Sequence, residues 1–583
     1  MKKNGERINI KVSPERVVLL LLVSLVVFQF IFQVSFLFNG TEYIVSNFTI
    51  DDTYYYLQTA WNLKSSGFST FDQINQTNGF QLLWFFFIYI FALIVKSKTA
   101  LLFLTLIICF LFNAGVYFFI RGIGRFLNSL PLMVFLSVLW FAQVLSGHYF
   151  FSGMENSLHA FLTWWIVYEF IKLSIQIRDK KKTDLILFSI LLTLNFWTRL
   201  DSAVFSFVLF SVLLVFMIRG SESLKKFFSD FGKEILKSIL IVFSGIIVQL
   251  MTFFLLGGSF LPVSAIIKTS GKGFALGSDF FKIFMEKLSL SFQNTSLELH
   301  PLYLISALFI LLLFLFYTKY KRPEISSLKD NLKGWTVSFL LFILLAGISL
   351  FKLNVLYFFT LAALIILVSV YYKLTQKVVF GGFEFAWSAM LLGIFIYHIY
   401  LAGSRIGYQD YFFWYRSPFQ IFRILTLGMI VIVVCRVKFK PGNSVHINFV
   451  VHLTSILIFI AVIGNMGKGF VAHPMLNAQY RTGIWIKNNI PEKSILASWN
   501  AGHIGYFSDR KVVNLDGLIN SYEYYKETKK KYFNLYDYLK KNKVEYIVDY
   551  CCVEQNGLLL YIKPVKLFQT NKGWKPIVIW KLI

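Results

Sequence analysis

Asp51 and Asp52 stand side by side at the head of an amphipathic stretch, DDTYYYLQTAWNL, about a dozen residues beyond the first long apolar run. Two adjacent carboxylates at a membrane surface are costly to keep together, because each raises the cost of ionising the other. The chemistry such a pair serves is proton abstraction from a hydroxyl, with the second acid holding another partner or a metal. Successive helical residues point about 100° apart, so only one of the two can face the reacting group directly. A cap on the helix N-terminus would account for one of the acids without any function.

Further ionisable residues punctuate the chain at intervals that suit one shared surface. Glu155 lies in HYFFSGMENSLHAF, flanked by His148 and His159, about a hundred residues after the acid pair. A metal held by Asp51, Asp52, Glu155 and a histidine is one reading, and an ordinary acid at a helix start is another. Arg199 and Asp201 occupy a very short turn, FWTRLDSAVF, where an ion pair holding the hairpin competes with contact to a substrate. Lys268 and Lys272 follow a proline in FLPVSAIIKTSGKG, while Arg405, Tyr415, Arg416 and Arg423 lie in the aromatic stretch SRIGYQDYFFWYRSPFQIFR. Cations beside aromatics suit a phosphate, arginine especially through its planar fork of donors; singly, each reads equally as a snorkelling interfacial cation.

The elements that must position these groups are membrane spans. Of 583 residues 57% are hydrophobic and 19% aromatic, and apolar runs long enough to cross a bilayer recur from Val17 to Val462. Thirteen spans are expected, near 17–38, 99–119, 131–147, 157–171, 184–198, 202–218, 238–257, 301–318, 335–351, 354–372, 384–402, 418–435 and 448–465. With the N-terminus inside, the inner connections hold 27 Lys and Arg in 97 residues and the outer ones 11 in 132. That asymmetry sets the orientation and makes the net charge of +27 mostly topogenic, which argues against a nucleic-acid partner. Residues 80–95, FQLLWFFFIYIFALIV, are apolar enough to cross, yet a crossing there would put Glu155 across the membrane from Asp51 and Asp52. This segment is therefore expected to lie in the outer leaflet, within the first external loop at 39–98, with an ordinary span and the parity restored elsewhere as the alternative.

An odd number of crossings leaves 467–583 outside, after a transmembrane domain at 1–466. The tail alternates short β-type runs (KSILAS, RKVVNL, EYIVDY, PIVIWKL) with helical stretches, as a small α/β domain does. Four cysteines, Cys109, Cys435, Cys551 and Cys552, make no disulfide framework. The one glycine-rich stretch, GKGFALG, follows a span rather than a strand and lies outside, which disfavours a nucleoside triphosphate.

The acid pair with FSTFDQINQTNGFQLLW after it, the SGMEN turn, the TRLD turn and the tail segment ASWNAGHIGYFSDRKVVNLDGLINSYEYY together resemble the GT-C class of polytopic glycosyltransferases. The likeness is to its polyprenyl-phosphate-sugar-dependent members, such as protein mannosyltransferases and aminoarabinose transferases. It implies an α-helical polytopic membrane protein of about thirteen transmembrane helices with a small C-terminal extracytoplasmic α/β domain, seated in the bacterial inner membrane. The implied activity is inverting transfer of a sugar from a polyprenyl-phosphate carrier to a lipid, glycan or protein acceptor, with no cofactor required and room for a divalent metal. Within the resemblance, Asp51 is favoured as the base, Asp52 and Glu155 as its companions. Alignment on the following tyrosines with oligosaccharyltransferases would instead favour Asp52. Arg199, Asp201, Lys268, Lys272, Arg405, Tyr415 and Arg416 are expected to bind substrate, and Asn500, His503, Asp509 and Asp516 in the tail are further candidates for the acceptor. A pyrophosphate-linked donor, and a lipid or polysaccharide transporter or flippase without catalysis, are the alternatives; the near absence of charge within the spans weighs against transport.

Overall fold

The computed structural model describes residues 14–146, 148–181, 183–269, 382–404, 415, 417–436, 474–550, 553–570 and 575–583, with shorter pieces within 279–286 and 451–460. Helices dominate. Six of the described helices are long and apolar enough to cross a membrane, among them α5 (Lys98–Phe126), α7 (Asn156–Arg178), α9 (Ser202–Gly220) and α10 (Leu224–Gly257). Large apolar side chains on α10, including Leu240, Phe243 and Leu255, are exposed, as lipid-facing residues must be and water-facing residues should not be. The chain is a multi-pass membrane protein.

Between α1 (Pro14–Ser35) and α5 come three shorter helices, α2 (Thr41–Asn47), α3 (Asp51–Ser66) and α4 (Leu82–Ile94). α4 holds the apolar segment whose placement hydropathy leaves open. Its 13 residues rise about 20 Å, short of a hydrocarbon core of roughly 30 Å. Just before it, Gly79 lies against the Leu518 carbonyl of the C-terminal domain. Just after it, Lys98 Nζ donates to the Tyr506 carbonyl at 3.0 Å and to Asp509 at 2.8 Å, both in that same domain. Both ends of α4 therefore lie on one face, and α4 does not cross.

With α4 at the surface, the following helices alternate in direction. α5 descends from the face carrying the C-terminal domain, α6 (Leu130–Ser146) returns to it, and α7 starts there again. α8 (Ile186–Thr198) and α9 meet in the turn at Arg199–Asp201 on that face, and α10 ends there beside Asn78. The short helix α11 (Val263–Thr269) follows, and α12 (Gly382–Gly403) and α13 (Ser417–Arg436) pack on α7, α9 and α6.

The C-terminal domain begins with α14 (Pro474–Asn489) and is built on a five-stranded sheet of order β2-β1-β3-β5-β4. β1 (Ile495–Ser498), β2 (Lys511–Asn514) and β3 (Val544–Asp549) run parallel; β5 (Ile577–Leu582) is antiparallel to both β3 and β4 (Ile562–Phe568). All four β-type runs of the tail are strands. The helical stretch before β3, SYEYYKETKKKYFNLYDYLKKN, forms two short helices, α16 (Tyr522–Thr528) and α17 (Leu535–Lys541), and Asn534 caps the second with its side chain. Residues of β1 to β3 are buried on both faces, one set packed under α16 and α17, the other on the side of α14 and α15.

Between β1 and β2, α15 (Ala501–Ser508) lies directly on α3. A β-carbon on Gly502 would come within 2.1 Å of the Asp51 carbonyl, so only glycine permits this approach.

Candidate functional site

Helix α3 sets out its side chains in three directions. Asp51, in its first turn, points at the C-terminal domain: its carboxylate accepts from the Gly502 amide at 3.0 Å, the His503 amide at 2.8 Å and His503 Nδ1 at 2.8 Å. Burial works against this charge, but the histidine and the two amides outweigh it and hold the carboxyl below its usual range. Asp51 thus caps α15, a helix that begins 450 residues later in the chain.

Asp52 points elsewhere. No described residue donates a hydrogen bond to its carboxylate, and the side chain is only partly buried. Burial pushes it up to about 6; Lys268 opposes that shift, while the charges of Asp51 and Glu155 add to it. A carboxyl tuned toward neutrality, with free acceptor positions at the membrane face, has the properties of a general base.

Tyr55 and Tyr56, three and four residues on, tie the helix to both sides. Tyr56 Oη donates to Glu155 Oε2 at 3.0 Å and accepts from the Gln81 amide at 3.3 Å. Glu155 Oε1 in turn accepts from Arg199 Nη1 at 2.8 Å, and Arg199 forks onto Asp201 through Nε at 3.0 Å and Nη2 at 2.9 Å. Tyr397 Oη completes the array by donating to Asp201, and the Arg199 guanidinium lies 5.0 Å from the centre of the Tyr415 ring. The two carboxylates keep the Arg199 charge well above its ordinary range, and Asp201 is held low by Arg199 against the cost of burial. Arg199 and Glu155 are each 3% exposed, which makes this chain of groups a sealed brace between α7, the α8–α9 turn and α12 rather than an open binding surface.

Lys268 reaches the site from α11. That helix is stapled by Asn78, whose Oδ1 accepts from the Val263 amide at 3.0 Å while Nδ2 donates to the Phe253 and Ser259 carbonyls, each at 3.0 Å. Burial disfavours the Lys268 charge, but Tyr415, Asp52 and Glu155 outweigh it and raise the ammonium above its usual value. An ammonium beside a carboxyl that holds no partner is an arrangement suited to an anionic ligand next to a base.

Asp52, Glu155, Arg199, Asp201, Lys268 and Tyr415 are thus gathered at one face, with Asp51 at its edge. Lys272, Arg405 and Arg416 lie outside the described residues. Among the described residues no three His, Cys, Asp or Glu side chains come together as a metal-binding group. His159 is fully buried on α7, with neither ring nitrogen bonded. Several contributing residues were not singled out as site residues by the sequence: Tyr55 and Tyr56 lie in the amphipathic stretch after the acid pair, Asn78 in the first loop, Gln81 at the head of the apolar segment 80–95, and Tyr397 within an expected span. Their helical spacing from Asp52 is what makes the tyrosines legible afterwards.

A family model described as a domain of unknown function (DUF8728) matches residues 473–581. No curated protein matches the chain. Among solved structures the chain is similar to ArnT from Cupriavidus metallidurans bound to undecaprenyl phosphate, at 10% identity over 96% of this chain and 97% of that one, with a TM-score of 0.44. The apo form of the same ArnT gives 12% identity, 97% and 98% coverage and a TM-score of 0.43. An oligosaccharyltransferase from Archaeoglobus fulgidus, tethered to an acceptor peptide, gives 14% identity over 95% of this chain and 74% of that one, with a TM-score of 0.37. Both proteins are GT-C glycosyltransferases, the class that the acidic first loop resembles.

Proposed function

We propose that this chain is an integral-membrane inverting glycosyltransferase that moves a sugar from a polyprenyl-phosphate carrier to an acceptor hydroxyl at the face bearing the C-terminal domain. The observation that carries the reading is the contrast within the acid pair: Asp51 is spent on α15, while Asp52 keeps its acceptor positions beside Lys268. The base is accordingly assigned to Asp52, with Asp51 as the residue that fixes its helix.

In the proposed step the acceptor oxygen forms a bond to the anomeric carbon as the bond from that carbon to the phosphate oxygen breaks. Asp52 takes the acceptor proton, and the leaving group departs as polyprenyl phosphate with its added negative charge facing Lys268. Tyr56, Glu155 and Arg199 brace α3 so that Asp52 keeps its direction. The spans supply the apolar surroundings a polyprenyl chain needs. Lys272, Arg405 and Arg416 are retained as further phosphate ligands within this proposal.

The test is turnover by the purified full chain on undecaprenyl-phosphate-linked hexoses, read by mass spectrometry of released undecaprenyl phosphate with a hydroxyl acceptor lipid present. Release that depends on acceptor and vanishes in Asp52→Asn supports the reading. Movement of the intact sugar lipid between leaflets without release would replace it by transport.

A further inference from the structure

One more acid stands at the edge of this site with its side chain partly exposed. A carboxylate offers about four acceptor positions. Asp51 has three filled, Glu155 is locked to Arg199 and Tyr56, and Asp201 is locked to Arg199 and Tyr397. Asp516, in the loop after β2, receives the Leu518 amide on Oδ1 at 2.8 Å and Tyr55 Oη on Oδ2 at 3.3 Å, with the Asn514 side chain also turned toward it, and its own side chain is partly exposed. Tyr55 is on α3, three residues beyond Asp52, so the loop is moored to the helix that carries the base.

The same loop is moored on the cation side. Gly517 has φ +83° and lies against Ile267, the residue before Lys268; a β-carbon there would come within 2.7 Å of the Ile267 side chain. Thr77 Oγ1 donates to the Asn520 carbonyl at 2.9 Å, and Gly79 fits under Leu518. The segment 515–520 is therefore a wall between α3 and α11, held at both edges, with one carboxylate on it. Burial pushes that carboxyl up to about 7, against the Leu518 amide, and the charge of Asp52 contributes, which places the two acids in one electrostatic neighbourhood.

Resting on the glycosyl-transfer reading, we propose that Asp516 is a substrate-binding residue of the same site: its free acceptor positions take hydroxyl groups of the donor sugar, so that the C-terminal domain completes the sugar pocket and sets which sugar is accepted. The chemistry recognised is a ring with adjacent hydroxyls standing between the Lys268 phosphate site and Asp52. In its ionised form the carboxyl is suited to this because it accepts from two hydroxyls.

The experiment compares full-length wild type and Asp516→Asn in lipid nanodiscs for binding of undecaprenyl phosphate alone and of undecaprenyl-phosphate glucose, mannose and galactose. Asp516→Asn should bind undecaprenyl phosphate within about twofold of wild type and lose roughly 10- to 100-fold for the preferred sugar lipid, with KM affected more than kcat. On the unaltered protein, carbodiimide labelling of Asp516 should be blocked by the sugar lipid and not by undecaprenyl phosphate, a readout that needs no variant to fold. Unchanged sugar discrimination in Asp516→Asn, or labelling that the sugar lipid does not block, overturns the role of Asp516 alone. Wild type that binds none of the four lipids overturns the transferase reading and this inference together.

Discussion

Replacing each acid of the pair by its amide separates the two roles that adjacency in sequence conceals. Asp52→Asn keeps size and shape and breaks no hydrogen bond to a described residue. If Asp52 is the base, turnover should fall by roughly 10²–10⁴ while the sugar lipid still binds. Stability should move the other way. A carboxyl raised from 3.8 to about 6 carries a shift of about two pKa units, or roughly 3 kcal/mol, and water reaching the partly open side chain reduces this to about 1–2 kcal/mol. Because the folded value lies above the unfolded one, the contribution is present below pH 4 and is lost as pH rises through about 6. Asp52→Asn does not titrate, so its thermal midpoint should exceed that of wild type above pH 6 and converge with it near pH 4. Wild-type turnover should climb about tenfold per pH unit up to about pH 6 and then level. Asp51→Asn should behave oppositely: it weakens three contacts to α15, costs about 1–3 kcal/mol, and loosens the C-terminal domain. The assays are lipid release, donor binding and thermal unfolding at matched expression from pH 4 to 8. An Asp52→Asn enzyme with near wild-type turnover, paired with an inactive Asp51→Asn enzyme whose C-terminal domain stays docked, would refute the assignment.

Lys268→Ala should weaken binding of undecaprenyl phosphate by about 10-fold or more, with Lys268→Arg restoring part of it; unchanged affinity would assign Lys268 to surface packing. Arg199→Ala leaves Glu155 and Asp201 buried without their cation and should destabilise the fold by roughly 3–5 kcal/mol, read as a lowered unfolding midpoint and poor recovery from the membrane. Gly517→Val should be worse for turnover than Gly557→Val, because both glycines have positive φ but only Gly517 faces a neighbour; matched losses would dismiss the close approach to Ile267 as the cause. Single cysteines at Ser65 and Lys529 should react with an impermeant reagent from outside and one at Lys181 only from inside, and any other pattern would overturn the orientation drawn from the loop charges.

The sequence carries the helical class, the tail strands and the acid pair plainly, because each is a local signal: apolar length, alternation and two adjacent carboxylates. It also indicates that one acid of the pair would hold a separate partner. What it lacks is the partner's identity. The His503–Asp51 contact joins residues 452 apart, and the Tyr55–Asp516 contact joins residues 461 apart, so neither leaves a spacing to read. The proposed step accordingly takes Asp52 rather than Asp51 as the base. Arg199 and Asp201 are read correctly as a pair from their turn, but Glu155 on the other side of the guanidinium depends on how α7 and α8 pack.

The surface position of α4 also bears on how the chain enters the membrane. Thirteen residues of LLWFFFIYIFALI form a segment that, met alone by the insertion machinery, has every compositional reason to enter the bilayer. The groups that hold its two ends on one face, Leu518, Tyr506 and Asp509, are synthesised more than 400 residues later. The contacts that fix its two ends are thus available only once the last domain has emerged and folded. Truncation of the tail should therefore disturb the topology of the first hundred residues, a long reach for the far end of a membrane protein.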